Sequence, residues 1–157
     1  MLCLHGPNLN LLGQREPEIY GAMTLGQIDA ALVAAGRRLG LEVDCRQSNH
    51  EGVLIDWLQE ARGRVQGLII NPGGYTHTSV AIRDAVVALG VPSIEVHISN
   101  VYRREGFRRR SLLADVCHGR LMGFGPSGYT LALEGLGGML GVDLAGGLSV
   151  SDNVSGS

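Results

Sequence analysis

Short apolar runs alternate along this chain with longer stretches of helical periodicity, and this alternation restricts the possible folds more than any other feature. Five runs have the length of buried strands, at 2–4, 41–45, 65–70, 93–98 and 116–124. Four stretches carry apolar residues at intervals of three and four, at 24–39, 53–62, 79–89 and 129–140. Alternating strands and helices predict an α/β fold in which helices cover both faces of a parallel sheet.

The strand order and the limits of the domain can also be predicted. We expect a flavodoxin-like three-layer sandwich whose five-stranded parallel sheet has the order 2-1-3-4-5. Thr24 is predicted to be the N-cap of the first helix, because Gln27 three residues later completes a capping box. After about Val142 the sequence becomes rich in Gly, Ser, Asp and Asn. We therefore expect a single domain over 1–142 and a disordered tail over 143–157.

The composition excludes several classes of protein. With 45% hydrophobic and 18% charged residues, the 157-residue chain has the composition of a folded domain. The net charge is −2 and the one dense basic run, 103–110, is short, which argues against a nucleic-acid binder but allows a small anionic ligand. No apolar run reaches the roughly 18 residues of a membrane helix and there is no signal-peptide pattern, so we expect a cytoplasmic protein.

Two residue types restrict the chemistry. The cysteines Cys3, Cys45 and Cys117 are far apart, lack C-x-x-C spacing and lie among apolar residues, so we interpret them as reduced core residues. All 13 positively charged side chains are arginines, because the sequence contains no lysine. Schiff-base catalysis through a lysine is therefore excluded.

Polar residues follow three of the predicted strands at their carboxyl ends. The first strand runs into His5 and Asn8, the third ends at Asn71, and the fourth ends at His97 and Ser99. Ligands of open α/β sheets bind in the crevice beyond these ends. A single Asn or His at such a place is more often a turn former or a cap. Three neighbouring strand ends with polar residues nevertheless predict one shared pocket.

The fourth strand has an unusual pattern. A strand that is covered on both faces should be almost wholly apolar, but Glu95 and His97 alternate with apolar residues here. Two interpretations remain open. The strand is either an edge strand with one wet face, or it carries a catalytic histidine whose ring is positioned by the neighbouring carboxylate.

A polar loop at 14–21 follows the first strand, where similar folds have a short turn. Long loops beside a ligand crevice are often lids. Arg15 and Tyr20 in this loop are by themselves more typical of a surface, but a guanidinium close to a phenol would favour the phenolate. About 0.1% of an unperturbed tyrosine is ionised at pH 7, and lowering its pKa by about two units requires about 2.7 kcal/mol.

His77 and Asp84 pose a problem of spacing. Seven residues of helix would place both side chains on one face but about 10 Å apart along the axis. One small ligand could hardly touch both within one subunit. Either one of the two is only a surface residue, or Asp84 comes to the site from a second subunit.

Six segments in a fixed order form a specific pattern. They are G-P-N-L-N-L-L-G at 6–13, R-E-P at 15–17 with I-Y-G at 19–21, Q-S-N-H-E-G at 47–52, N-P-G-G-Y-T-H-T-S at 71–79, E-V-H-I-S-N at 95–100 and F-R at 107–108. Chance does not assemble six such segments in order. Over 2–140 the sequence resembles the type II 3-dehydroquinate dehydratase family.

This resemblance implies a hydro-lyase of the shikimate pathway of aromatic amino acid biosynthesis. It would convert 3-dehydroquinate to 3-dehydroshikimate by trans elimination of water through an enolate, with no metal or cofactor. Tyr20 would be the base, and Arg15 would lower the pKa of that phenol. His97 would be the acid, supported by Glu95, and Asn8 would lie near a water that stabilises the enolate.

The resemblance also implies how the substrate and the subunits are held. The substrate hydroxyls and carboxylate would be bound by side chains and backbone amides of Asn71, His77, Arg108, Ile98 and Ser99. Asp84 would reach across from a neighbouring subunit of the family's usual homododecamer, a tetramer of trimers. That arrangement would resolve the problem of spacing.

The sequence departs from the family pattern at a few positions. His5 stands where asparagine is common and Tyr102 where histidine is common, and Gly106 and the pair at 126–127 are unusual. None of these departures removes a proposed catalytic group. Tyr102 and Gly106 are close in sequence to Arg108. These two departures are therefore expected to affect substrate affinity more than the catalytic step.

Two other functions are alternatives to this one. A flavodoxin-like binding module for flavin or for signalling would carry a hydroxyl-rich phosphate loop or an acidic cluster after the first strand, and the sequence there is G-P-N-L at 6–9. A catalytically inactive family member is the second alternative. The combination of Arg15, Tyr20 and His97 argues against it.

Overall fold

The computed structural model of the protein describes residues 1–14, 18 and 22–144, and within these ranges it has five strands and four α-helices. The strands are β1 (Leu2–His5), β2 (Asp44–Gln47), β3 (Leu68–Asn71), β4 (Ser93–His97) and β5 (Gly119–Met122). The α-helices are α1 (Leu25–Arg38), α2 (Glu51–Glu60), α3 (Val80–Leu89) and α4 (Ser127–Met139). Short 3-10 helices occupy Leu9–Leu11, Gly73–His77, Val101–Arg103 and Gly106–Arg109. Of the predicted tail at 143–157, all but 143 and 144 lies outside the described residues.

The strands form one parallel sheet in the order β2-β1-β3-β4-β5, which confirms the predicted topology. On one face, α1 and α4 cover Cys3 and Ile69. On the other face, α2 and α3 cover Leu4 and Ile70. Successive residues of each central strand therefore enter two separate cores, as a sheet covered on both faces requires. Over the described ranges, no helix combines the length and the apolar character needed to cross a membrane.

The predicted capping box is present at the start of α1. The backbone N–H of Thr24 donates to the Gln27 side-chain oxygen at 2.9 Å, and the backbone N–H of Gln27 donates to the Thr24 hydroxyl at 3.3 Å. The first amides of a helix have no partner within the helix, so these two bonds satisfy donors that would otherwise be unpaired.

Two strands lie elsewhere than the apolar runs predicted. β2 begins only at Asp44, near the end of the predicted run at 41–45. Most of that run belongs to the connection after α1, and its apolar side chains pack on the core without pairing in the sheet. There the backbone N–H of Leu41 donates to the carbonyl oxygen of Gly36 at 2.8 Å. β5 is shorter than the predicted 116–124, because 114–116 form a turn. In both places an apolar run reflects burial and not strand pairing.

The parallel register brings the carboxyl ends of three strands to one edge of the sheet. His5 at the end of β1 pairs with Asn71 at the end of β3, and Ile70 pairs with Glu95 on β4. His97 is the last residue of β4. The polar residues that follow these ends therefore surround one crevice, as the sequence predicts.

The segments that follow β1 and β3 are in close contact at this edge. The Gly6 N–H donates to the carbonyl oxygen of Asn71 at 2.7 Å. A Cβ added to Gly6 would lie 2.4 Å from the carbonyl oxygen of Pro72. Because the obstacle is backbone, a larger residue at position 6 would have to push the two segments apart.

We predict that Gly6→Ala lowers the free energy of unfolding by about 1–3 kcal/mol, the usual cost of overpacking. Urea-induced unfolding of the full chain measures this change. Gly26→Ala is the matched control, because Gly26 lies in the first turn of α1 and an added Cβ there would meet no atom within 4 Å. That control should keep or raise the stability, by up to about 1 kcal/mol. Equal stability of the two variants would contradict the obstruction at Gly6.

Candidate active site

A cavity of about 280 Å³ lies beyond the carboxyl ends of β1, β3 and β4. Its walls come from the segments that follow these strands, where open α/β sheets bind ligands. The predicted site residues that line it are Asn8, Asn71, His77, His97, Ile98, Ser99 and Arg108. The other lining residues are Pro7, Leu9, Leu11, Leu12, Gly73, Gly74, Val101 and Arg104. The cavity therefore combines convergent polar groups with an apolar wall, as sites for small organic ligands do.

His97 is held at this cavity by a buried carboxylate. Its Nε2 lies 2.6 Å from Oε1 of Glu95, and Glu95 is 0% exposed. The hydroxyls of Thr76 and Ser111 also donate to Glu95, the latter at 2.8 Å. β4 pairs with both β3 and β5, so the interpretation as an edge strand is wrong. The ring of His97 is instead oriented by Glu95, as the alternative interpretation predicts.

Arg120 provides a further charge beside Glu95 that the sequence does not reveal. Glu95 and Arg120 are register partners on β4 and β5, and Nε of Arg120 lies 3.1 Å from Oε2 of Glu95. The direction of this contact is unfavourable for a hydrogen bond: within the described part of the chain, Nε and Nη2 of Arg120 are buried and have no hydrogen-bond acceptor. The contact is therefore an ion pair without a hydrogen bond, in a place where water screens charges weakly.

The balance of these contacts keeps Glu95 ionised. Burial raises the pKa of Glu95, but the hydrogen bond and the charge of His97, with the hydroxyls of Thr76 and Ser111, outweigh burial and leave the pKa below its ordinary value of 4.5. The ionised carboxylate holds the His97 ring in a fixed direction at the cavity wall. A histidine placed in this way is suited to proton transfer with a ligand in the cavity.

Asn71 is fixed by a buried network that continues into the sheet face covered by α1 and α4. Its Nδ2 donates to the Tyr129 hydroxyl at 2.9 Å, and its Oδ1 accepts the Gly73 N–H at 3.1 Å. The Tyr129 oxygen lies 3.2 Å from Nδ1 of His5, and Nε2 of His5 lies 2.8 Å from Oδ1 of Asp29. A carboxylate only accepts, so in the neutral form of His5 the Nε2–H donates to Asp29 and Nδ1 accepts from Tyr129. Sequence reasoning missed this network, because its members come from four distant segments.

Two arginines stand at one wall of the cavity. Nε of Arg108 donates to Oε2 of Glu105 at 2.7 Å, and Nε of Arg104 lies 3.8 Å from the same oxygen. Guanidinium groups at a cavity wall suit an anionic ligand such as a carboxylate. Arg104 was not among the predicted site residues. The basic run at 103–110 was the signal that could have indicated it.

His77 and Asp84 do not share a helix face, so the geometry assumed for their spacing is wrong. His77 is the last residue of the 3-10 helix that follows β3, and the chain turns before α3 begins. Nδ1 of His77 lies 2.6 Å from the carbonyl oxygen of Arg110, and because a carbonyl only accepts, Nδ1 is the donor. Asp84 is exposed on α3 and does not line the cavity. Arg15 and Tyr20 lie outside the described residues, and their roles stay predictions.

Protonation of Glu95 should destabilise the fold in acid. Because the pKa of Glu95 in the folded state is lowered, the stability that its ionised form contributes is fully present above about pH 4.5 and is lost as the pH falls through the folded-state value. We predict that Glu95→Gln, which cannot ionise, loses less unfolding free energy than the wild type between about pH 5 and about pH 3. Urea unfolding at a series of pH values measures the difference.

Glu134→Gln is the matched control for this experiment, because Glu134 is exposed on α4. It should keep the pH dependence of the wild-type protein. If Glu95→Gln also kept that dependence, the buried carboxylate would not be the group that titrates.

Comparison with known proteins gives a consistent result. The family model described as Dehydroquinase class II matches residues 1–137. The chain is 57% identical over 133 residues to a 3-dehydroquinate dehydratase of Rhizobium johnstonii, covering 85% of this chain and 92% of that one. The crystal structure of the type II dehydroquinase from Propionibacterium acnes matches with a TM-score of 0.84 and 44% identity, covering 87% and 94% of the two chains. A 3-dehydroquinate dehydratase-like protein from Bifidobacterium longum matches with a TM-score of 0.67 and 30% identity, over 89% and 96%. The chain belongs to the class II dehydroquinase family.

Proposed function

We propose that the protein is a lyase that removes water from 3-dehydroquinate to give 3-dehydroshikimate, in the shikimate pathway. The observation that carries this proposal is the buried Glu95–His97 pair at a cavity that is also lined by Arg104 and Arg108. The pair supplies a proton for a leaving hydroxyl, and the arginines add positive charge to a cavity that takes an anionic substrate. Relatives named 3-dehydroquinate dehydratase support the identity of the substrate.

His97 is the acid in this proposal. Glu95 engages Nε2, so Nδ1 is the atom that delivers a proton to the cavity. When the carbon–oxygen bond of the substrate breaks, the leaving hydroxyl takes this proton and departs as water. The neutral imidazole that remains keeps its hydrogen bond to Glu95.

Tyr20 is the base, and Arg15 activates it. A nearby guanidinium favours the phenolate, which takes the proton from the carbon beside the ketone. The electrons of that carbon–hydrogen bond form an enolate. When the enolate collapses, it expels the hydroxyl of the adjacent carbon from the opposite face of the ring. Asn8 lines the cavity and is proposed to hold a water that stabilises the enolate oxygen.

Five further residues are proposed to bind the substrate. Asn71, His77 and Arg108 bind hydroxyl groups, and the backbone amides of Ile98 and Ser99 bind the carboxylate. All five line the same cavity. His77 is anchored through Nδ1, so its Nε2 is left to accept a hydrogen bond from a substrate hydroxyl. Such contacts hold the substrate close to Tyr20 and His97, which lowers the entropic part of the barrier.

Asp84 is proposed to act on a neighbouring subunit of a homododecamer built from four trimers. It lies on the outer side of α3, four residues after Val80 and three before Val87, so the three share one helix face. Val80 and Val87 are each 58% exposed. Two exposed apolar side chains flanking a carboxylate are consistent with an intersubunit contact that brings Asp84 to a partner's cavity.

The proposed reaction consists of two proton transfers and the cleavage of one carbon–oxygen bond, and the ketone of the substrate itself acidifies the carbon–hydrogen bond that breaks. We therefore propose that catalysis uses neither a metal nor an organic cofactor. We also propose that 1–142 forms the catalytic domain and that the enzyme works in the cytoplasm, with no nucleic-acid or membrane partner.

Tyr20→Phe and His97→Ala should each lower kcat by at least the roughly 100-fold typical of a lost acid or base. The assay follows the ultraviolet absorbance of the conjugated enone in 3-dehydroshikimate, and circular dichroism checks the fold. Tyr102→Phe, at a side chain that is 55% exposed, is the control and should keep the wild-type kcat. Unchanged turnover in Tyr20→Phe would remove this residue from the role of base. Activity abolished by a chelator would contradict the metal-free mechanism.

Arg108→Ala should raise KM more than it lowers kcat, because a residue that binds the substrate and the transition state equally contributes uniform binding. Arg109→Ala is the control, since Arg109 is an exposed neighbour in the same 3-10 helix and does not line the cavity. Steady-state kinetics separates the two constants. A fall in kcat at constant KM would mean that Arg108 acts mainly in the transition state.

A further inference from the structure

A cluster of metal-ligating side chains lies outside the cavity, on the sheet face that α1 and α4 cover. Cys3 and His5 belong to β1, and Cys45 on the neighbouring β2 is the register partner of Cys3. One ligand atom from each of these three residues lies within 4.8 Å of the others. Asp29 of α1 adds a carboxylate, whose Oδ1 lies 2.8 Å from Nε2 of His5. Three possible ligands from two neighbouring strands therefore converge on one point, and a carboxylate lies beside one of them.

The distances in this cluster match those around a small tetrahedral ion. Zinc binds thiolate sulfur at about 2.3 Å and imidazole nitrogen at about 2.0 Å, so two such ligand atoms are separated by about 3.5 Å. Sγ of Cys3 lies 3.6 Å from Nε2 of His5. The Asp29 carboxylate, which engages Nε2 at hydrogen-bond distance, is 28% exposed and can turn towards solvent when a metal takes its place at Nε2.

We propose that Cys3, His5 and Cys45 form a site for a thiophilic divalent cation, with Zn²⁺ as the best match and a water as the fourth ligand. Two sulfurs and an imidazole disfavour Mg²⁺ and Ca²⁺, which require oxygen ligands. Binding releases the two thiol protons to solvent and replaces the hydrogen bond between His5 and Asp29 with a bond from His5 to the metal.

The surroundings of the cluster meet two requirements of a metal site. A ligating histidine normally donates its second ring N–H to a fixed partner, and Nδ1 of His5 lies 3.2 Å from the Tyr129 oxygen. The cation also needs a route from solvent. β2 is an edge strand, Cys45 is only half-buried there, and Cys3 and His5 form the buried floor of the site.

Metal binding at this site would change the hydrogen bonds that orient a residue of the cavity. With the metal on Nε2, the proton of the His5 ring moves to Nδ1, so His5 changes from an acceptor to a donor toward Tyr129. The same Tyr129 oxygen accepts the hydrogen bond that orients Asn71. The site is separate from the groups that carry out the proposed dehydration, and the proposal does not depend on that activity.

Co²⁺ is the probe for this site, because its spectrum reports both ligand type and geometry. The full-length protein is reduced, freed of metal with a chelator and titrated with Co²⁺ without oxygen. We expect one equivalent per chain, with thiolate-to-cobalt charge-transfer absorption, the intense visible bands of a tetrahedral ion, and displacement by Zn²⁺. Saturation without charge-transfer bands would overturn the proposal, as would the absence of saturable binding.

Variants identify the ligands. Cys45→Ser should lose about half of the charge-transfer intensity and weaken Co²⁺ binding by at least about tenfold. Cys117→Ser is the matched control, because Cys117 is a free cysteine in the core on the other face of the sheet, and it should leave the spectrum unchanged. His5→Asn, which replaces the ring with a smaller polar group, should also weaken binding. A wild-type cobalt spectrum in Cys45→Ser would place the ion elsewhere and refute the site.

Discussion

The carboxylate of Glu95, buried in the middle of a parallel sheet, is the constraint on which the candidate site depends. An unpaired charge at 0% exposure would cost several kcal/mol, so the chain must bring compensating groups to it. His97 comes from the same strand, Thr76 from the segment after β3, Ser111 from the segment after β4, and Arg120 from β5. Satisfying one charge thereby fixes three stretches of backbone around one histidine.

The Glu95–His97 pair makes the fold less stable than apolar residues would, but it orients the histidine ring. A pair of apolar residues at positions 95 and 97 would pack in the sheet without any desolvation penalty. The ionised Glu95 instead sets the direction of the His97 ring at the cavity before any ligand arrives. The hydroxyls of Thr76 and Ser111 leave Glu95 little freedom to rotate away from that ring.

The sequence predicted those features that depend on local pattern or on the ends of strands. The strand order, the capping box at Thr24 and the residues of the cavity wall follow from periodicity, capping chemistry and the register of parallel strands. What it could not predict depends on contacts between distant segments. The contact of Arg120 with Glu95 depends on the register of β5, and the link from His5 to Asn71 passes through a helix near the end of the described chain. The limits of β2 were missed because burial and strand pairing give the same apolar signal.

Gly6 lies so close to the carbonyl of Pro72 that the loops after β1 and β3 cannot move independently. A hydrogen bond from Gly6 to Asn71 ties them at the same point. A change in the length or path of either loop would therefore have to be matched in the other. A redesign of this enzyme for a different acid substrate would have to exchange both loops at once. Within the family, changes in the length of one loop should accompany changes in the other.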